Sequence, residues 1–276
     1  MTSLFRQLEE DDLDTEERSI FEVFKASLSY PAPDNILAER LSSDIVFVCK
    51  SAAADGDPGE ILTIAWSIMF DMIRHISPDH TWQNVWINAL KILQTQENLP
   101  PDDREMPNGL SWQELPYLLD NLSLIMENTR RYDTMWKNVT SFAARLFASG
   151  LTNADVYPIR DFCHTVERYK SDDPGPETPL WVATEWVIRC SDRLWEVLKQ
   201  GDELEGVDRN RYELGSALAD VKGIGLLSTE RWVFWKKWFA EKKENLAKDN
   251  SSADTSAMLA RVSEALEKMG RAEGRS

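Results

Sequence analysis

The chain has 276 residues, of which 47 are acidic and 31 basic, so that its net charge at pH 7 is −16. Nucleic acids and anionic membranes bind clustered Lys and Arg, so this charge argues against both as partners. The three cysteines lack metal-like spacing and predict reduced, buried thiols, and neither a metal nor a cofactor is predicted.

The first residues are acidic and lack the basic start and apolar run of a signal peptide. We expect residues 1–14 to form a flexible, solvated acidic arm. The most apolar stretch, 61–76, contains Asp71 and Arg74 and is too short to span a bilayer. Together these features predict a cytoplasmic protein.

Apolar residues recur at helical spacing along the chain, and the strict alternation of a half-buried strand is not evident. Proline, glycine and capping residues mark where helices start and stop. Helices are predicted over about 16–30, 34–54, 58–75, 77–93, 116–128, 129–149, 152–170, 179–200, 229–245 and 254–270. Residues 201–227 are charged and glycine-punctuated, and they predict at most a short helix near 212–221.

Residues 179–200 predict the central helix of the fold. Their apolar arc is roughly 200° wide, against roughly 100° for an ordinary surface helix. The centre of this arc consists of Leu180, Val187, Leu194 and Leu198. The charged residues share the remaining face, and they are Glu185, Arg189, Asp192, Arg193 and Glu196. Such a helix is mostly surrounded by other helices.

We therefore predict an all-α fold, a compact irregular bundle of about eight or nine helices around residues 179–200. Residues 15–246 are expected to form a single domain, since no linker separates two comparable halves. Residues 247–276 are expected to form a polar linker and an amphipathic helix. That helix would dock loosely on the body or on a second copy.

The eleven tryptophans raise the question of a ligand pocket. Aromatic residues on helices usually build core, and the alternative is an aromatic-lined cavity for a small hydrophobic ligand. His164 lies three residues from both Asp161 and Glu167, the spacing of an acid–base pair or part of a carboxylate metal site. A hydrogen-bonded structural histidine is the favoured interpretation. The candidate pocket residues are Trp136, Trp181, Trp186, His164 and Arg189.

The stretch 232–239 has apolar residues almost all round the predicted helix. This helix is either fully buried or carries a patch that meets a partner. The residues of this candidate partner surface are Arg231, Trp232, Trp235, Lys236 and Trp238. A protein partner or self-association is thus left open.

Several short motifs lie between Ser111 and Phe239. They are Trp112 with Leu115-Pro116, Trp136-Lys137-Asn138 before Phe142-Ala143-Ala144-Arg145-Leu146, Pro179-Leu180-Trp181-Val182-Ala183-Thr184-Glu185-Trp186, and Gly223-Ile224-Gly225-Leu226-Leu227-Ser228 before Arg231-Trp232. With these motifs the chain resembles the domain-of-unknown-function family 3632. The resemblance implies a fungal, intracellular, helical protein. It carries no assigned chemistry, so no catalytic residue is transferred.

Two functions remain open. An interaction or regulatory module with a helical binding surface is favoured, and the alternative is a small-molecule binding protein or enzyme with an aromatic-lined cavity between helices. The sequence has no nucleophile elbow, phosphate loop or dinucleotide fingerprint, so it favours a role other than catalysis without deciding the question.

Overall fold

A computed structural model describes residues 5–10, 12–52, 57–96, 99, 106, 110–152, 155–168, 177–201, 212–219, 221–248 and 252–275. The regular elements of this part of the chain are all α-helices, which confirms the all-α prediction. There are eleven of them, against about eight or nine expected for the bundle; ten correspond to the ranges predicted above, and the eleventh is residues 6–10. No helix among the described residues is both long enough and apolar enough to cross a membrane.

The chain folds into two compact units, residues 1–152 and 153–276. The helices of the first unit are α1 (Arg6–Glu10), α2 (Thr15–Leu28), α3 (Asp34–Ala52), α4 (Pro58–Ile73), α5 (Trp82–Thr95), α6 (Leu118–Thr129) and α7 (Asp133–Ala148). Those of the second unit are α8 (Val156–Thr165), α9 (Glu177–Gln200), α10 (Thr229–Lys248) and α11 (Ala253–Gly274). Each unit has its own buried apolar residues, and the single domain expected over 15–246 stays a prediction.

The acidic arm expected over residues 1–14 is wrong for residues 5–10. Phe5 and Leu8 are buried, and α1 follows Phe5 directly. The Phe5 ring stacks on Trp82 at 5.7 Å and meets the edge of Phe21 at 6.1 Å. Ordering this segment costs conformational entropy, and its acidic residues bury too little apolar surface to offset that cost. Burial of the two apolar side chains offsets it.

In the first unit, α3 packs against α2, α4 and α5. Asp14 and Glu17 form a capping box at the start of α2, which satisfies the free N–H groups there. Phe24 of α2 meets Trp86 of α5 edge to face at 5.2 Å. The apolar faces expected from helical spacing are therefore the ones that build this core.

The helix expected from residue 116 begins at Leu118. Leu115 and Tyr117 both adopt positive φ, so the chain turns sharply on either side of Pro116. The indole of Trp66 donates to the Pro116 carbonyl at 2.8 Å and fixes this turn to α4. Ser111 and Glu114 have the spacing of a capping box, but no helix follows them directly, because proline disfavours helical geometry in the residue before it.

In the second unit, α9 packs against all three of the other helices. Val187 and Leu194 in the middle of its predicted arc are fully buried. Cys190 has non-helical φ and ψ, which kinks α9 at this residue. The helix predicted over 179–200 is thus buried as expected, and it is the hub of the second unit.

Glu185 departs from the predicted polar face of α9, because α11 covers it. Its side chain is only 2% exposed and accepts from Arg189 Nε at 2.9 Å and Arg261 Nη2 at 2.7 Å. The C-terminal helix is therefore an integral part of the second unit, not a loosely docked one. The buried side chains of α11 are Met258, Val262, Ala265, Met269 and Ala272. Helix α10 reaches Lys248, and residues 249–251 of the expected linker lie outside the described residues.

Candidate functional site

The five candidate pocket residues are divided between the two units. Trp136 lies on α7 of the first unit and is buried. The other four, Trp181, Trp186, His164 and Arg189, belong to α8 and α9 of the second unit.

Trp181 and Trp186 face different neighbours of α9. Five residues at 100° each place their side chains about 140° apart around the helix. The indole N–H of Trp186 donates to Asp161 on α8 at 2.8 Å, and both side chains are fully buried. The Trp181 ring lies 4.4 Å from the guanidinium carbon of Arg261 on α11, a cation–π contact. Both rings thus hold α9 to other helices of its unit.

Asp161 and Glu167, the carboxylates expected beside His164, bind other side chains in the interior of the second unit. Helix α8 ends at Thr165, so Glu167 no longer shares a helical face with His164. Asp161 accepts the Trp186 indole, and Glu167 pairs with Arg231. Among the described residues, His, Cys, Asp and Glu nowhere form a group of three that could hold a metal ion.

The candidate partner surface on α10 is largely interior. Arg231, Trp232, Trp235 and Trp238 are buried, so the fully buried alternative holds for them. Lys236 is partly exposed and pairs with Glu273 of α11 at 2.6 Å. The tryptophans of this stretch therefore stabilise the second unit instead of forming an exposed patch.

Glu167 and Arg231 form a fully buried ion pair. Arg231 Nε donates to Oε1 at 2.5 Å and Nη2 to Oε2 at 3.0 Å, the bidentate geometry of strong arginine–carboxylate pairs. The carboxylate also accepts the Trp235 indole N–H at 2.8 Å and the Gly215 backbone N–H at 2.7 Å. The remaining guanidinium N–H groups donate to the backbone carbonyls of Tyr212, Glu213 and Leu226.

All five guanidinium N–H groups of Arg231 are thus satisfied within the protein. The pair fastens α10 to the turn after α8 and to the irregular segment around residues 212–226. Spacing along the sequence gave no signal for this pair, because 64 residues separate the two side chains. Its role is to hold the irregular segment, since no donor of Arg231 is left to bind a ligand.

Replacing Gly215 by alanine is expected to destabilise the protein. A Cβ at this position would lie 2.4 Å from Glu167 Cβ and 2.9 Å from the Glu167 carbonyl oxygen, so the chain must shift. We expect a loss of about 1–3 kcal/mol in the free energy of unfolding, the usual cost of overpacking, measured by urea denaturation. Gly270→Ala is the matched control. Its Cβ would meet nothing within 4 Å, and alanine favours helix, so this variant should be slightly more stable. Equal effects of the two variants would contradict the close approach at Gly215.

Burial disfavours the thiolate form of all three cysteines. Burial raises the pKa of the Cys49 thiol to about 12. Burial also raises the pKa of Cys190, whose Sγ donates to the Trp186 carbonyl at 2.8 Å, and that of half-buried Cys163. Since the thiolate is the reactive form, burial disfavours reaction at all three thiols.

An open groove lies between α2 and α3 of the first unit, with a volume of about 460 Å³. Phe47 of α3 stands at its edge with 63% of its surface exposed. Isolated exposed apolar residues are ordinary, but this ring adjoins further apolar side chains. The lining residues are Thr15, Glu16, Ser19, Ile20, Val23, Phe47, Val48, Ser51 and Ile61.

One feature of the sequence indicates this groove, although Phe47 was not among the predicted site residues. Helical spacing places Leu41, Ile45 and Val48 on one face of α3, and Phe47 lies off that face. A large aromatic residue off the core face of a helix predicts either a second packing partner or a binding surface. In the described part of the first unit, the ring remains exposed, which makes the groove the candidate functional site.

Residues 66–239 match the model of a family described as "Protein of unknown function (DUF3632)". No curated protein and no solved structure gives a significant match to the chain. The matched range includes the Glu167–Arg231 pair, whereas the groove residues, 15–61, precede it.

Proposed function

Since the chain belongs to the DUF3632 family, whose description assigns no function, we propose from its geometry that it is an interaction module binding a segment of another protein in the α2–α3 groove. The observation that carries this proposal is the exposed Phe47 ring beside an open apolar groove. Aromatic residues, Phe among them, are enriched at the buried centres of protein interfaces. The groove precedes the family match, so the proposal concerns this chain and not the family.

Three features of the groove suit a protein segment. Val23 and Val48 are half-buried and Ile20 and Ile61 are buried, and together they give the groove an apolar lining. The groove is open rather than enclosed. A bound polypeptide needs an open groove, because its chain continues beyond both ends of the groove. The lining also includes the hydroxyl side chains of Thr15, Ser51 and Ser19, of which Ser19 donates to the Thr15 carbonyl at 2.8 Å, so polar groups lie beside the apolar ones as at protein interfaces.

Peptide display tests the proposal. A library of random 16-residue peptides is selected on the full-length protein and then counter-selected on Phe47→Asp. We expect enriched peptides that bind the wild-type protein at least tenfold more tightly than the variant, because aspartate places a charge against their apolar side chains. An absence of enriched peptides, or equal binding to both proteins, would show that the groove does not recognise peptides.

Leu124→Asp is the matched control for this experiment. Leu124 is also on a helix of the first unit and is 59% exposed, close to the 63% of Phe47. Both variants should fold, since substitutions of exposed residues usually change stability by less than about 0.5 kcal/mol. Enriched peptides should bind Leu124→Asp as tightly as the wild-type protein.

A small apolar molecule is the second candidate occupant, because about 460 Å³ lies within the range of ligand pockets. Native mass spectrometry of the protein purified from its own host would detect such a molecule. A bound species lost in Phe47→Asp and kept in Leu124→Asp would favour this alternative. The cytoplasmic location and fungal source stay predictions, as does self-association.

A further inference from the structure

We infer that the segment bound in the α2–α3 groove is a basic amphipathic helix of a partner protein. This inference rests on the proposed function and specifies its ligand. It is carried by the shape of the groove, by the carboxylate in its lining and by the charge of the surrounding helices.

The shape favours a helix. The lining residues of α2 run from Thr15 to Val23, a rise of about 12 Å or two helical turns. The lining residues of α3 are Phe47, Val48 and Ser51, within little more than one turn. A helix laid between two helices presents apolar anchors at positions i, i+4 and i+7, which fits a groove of this length.

The charge favours a basic partner. Glu16 is the one charged residue among the nine that line the groove. Residues 12–60 contain eleven Asp and Glu against four Lys and Arg. These cations have partners within the chain: Lys25 pairs with Glu9 at 2.8 Å, Arg18 donates to the backbone carbonyls of Leu8 and Glu9, and Arg40 lies over the Tyr30 ring at 4.2 Å. A helix with Lys or Arg beside its apolar face therefore enters a favourable field.

The same charge argues against two other occupants. A second copy of the chain would bring a further net charge of −16 to the interface. An anionic lipid surface would meet the same repulsion, since such surfaces attract basic segments.

Charge-matched peptides test the inference. Three fluorescein-labelled 18-residue helical peptides share one leucine face and carry lysine, glutamine or glutamate on both flanks. Their binding to the full-length protein is measured by fluorescence anisotropy at 50 and 300 mM salt. We expect the lysine peptide to bind at least tenfold more tightly than the glutamine peptide, and its affinity to fall as salt rises. Glu16→Lys should reduce the ratio of the lysine-peptide affinity to the glutamine-peptide affinity at least threefold. Phe47→Ala should weaken binding of the lysine peptide at least tenfold. Glu267→Lys, an exposed carboxylate of α11, should leave the affinity within twofold of wild type.

The other outcomes separate failure of this inference from failure of the proposed function. Equal binding of all three peptides, with Phe47 still required, would overturn the basic partner and keep the groove as a binding site. Binding that is unchanged in Phe47→Ala would overturn both. A Phe47-dependent dimer in sedimentation velocity would assign the groove to a second copy, and Phe47-dependent binding to phosphatidylserine vesicles would assign it to a lipid surface. Either result would overturn the inference, as would an absence of binding by every peptide. In that last case the display experiment still decides whether the groove binds peptides.

Discussion

Replacing Val187 by aspartate is expected to unfold the second unit. Val187 is fully buried at the centre of α9, the helix that contacts all three other helices of that unit. An aspartate there would place an unpaired carboxylate among apolar side chains, where its charged form is strongly disfavoured. We expect a loss above about 4 kcal/mol, in the range reached only by severe core disruption. Circular dichroism during a thermal melt should show reduced helicity at 25 °C or a much lower midpoint.

Glu196→Ala is the control for this experiment on the same helix. Glu196 is exposed and pairs with Lys199 at 3.6 Å, a surface contact of little energetic weight. This variant should change the free energy of unfolding by less than about 0.5 kcal/mol. If the two variants melted alike, the orientation of α9 in its unit would be wrong.

Replacing Arg231 by alanine is expected to cost about 3–5 kcal/mol, the usual effect of removing one partner of a buried ion pair. The Glu167 carboxylate would then remain buried without its cation, and the carbonyls of Tyr212, Glu213 and Leu226 would lose their donors. Urea denaturation followed by tryptophan fluorescence measures the loss. Trp235 is a suitable reporter, because its indole donates to Glu167.

Two further variants define the origin of that loss. Arg271→Ala removes an arginine of an exposed pair with Glu267 and should change stability by less than about 1 kcal/mol. The double variant Glu167→Gln with Arg231→Met removes both charges, keeps an acceptor for Trp235 and should recover part of the loss. If Arg231→Ala were no more damaging than Arg271→Ala, the pair would not fasten the irregular segment.

The helices α9 and α10 show how far sequence patterns predict which residues are buried. Helical spacing placed Val187 and Leu194 in the core correctly, because burial of an apolar arc depends on local periodicity. The same periodicity assigned Glu185 to solvent, whereas α11, nearly eighty residues further along, covers it and supplies Arg261. For residues 232–239, an apolar pattern almost all round the helix left both burial and a partner surface open. Only the packing of neighbouring segments against α10 shows that its tryptophans are buried.

The sequence by itself determined the all-α class, most helix boundaries and the buried character of α9, since these follow from local propensity, capping and the period of the apolar residues. The tertiary structure alone decided that Phe5 packs on Trp82, that Glu167 and Arg231 meet, and that Phe47 borders an open groove. Each of these depends on the approach of segments that are distant along the chain. Local periodicity carries no information about that approach, because many arrangements of the same helices bury the same apolar faces.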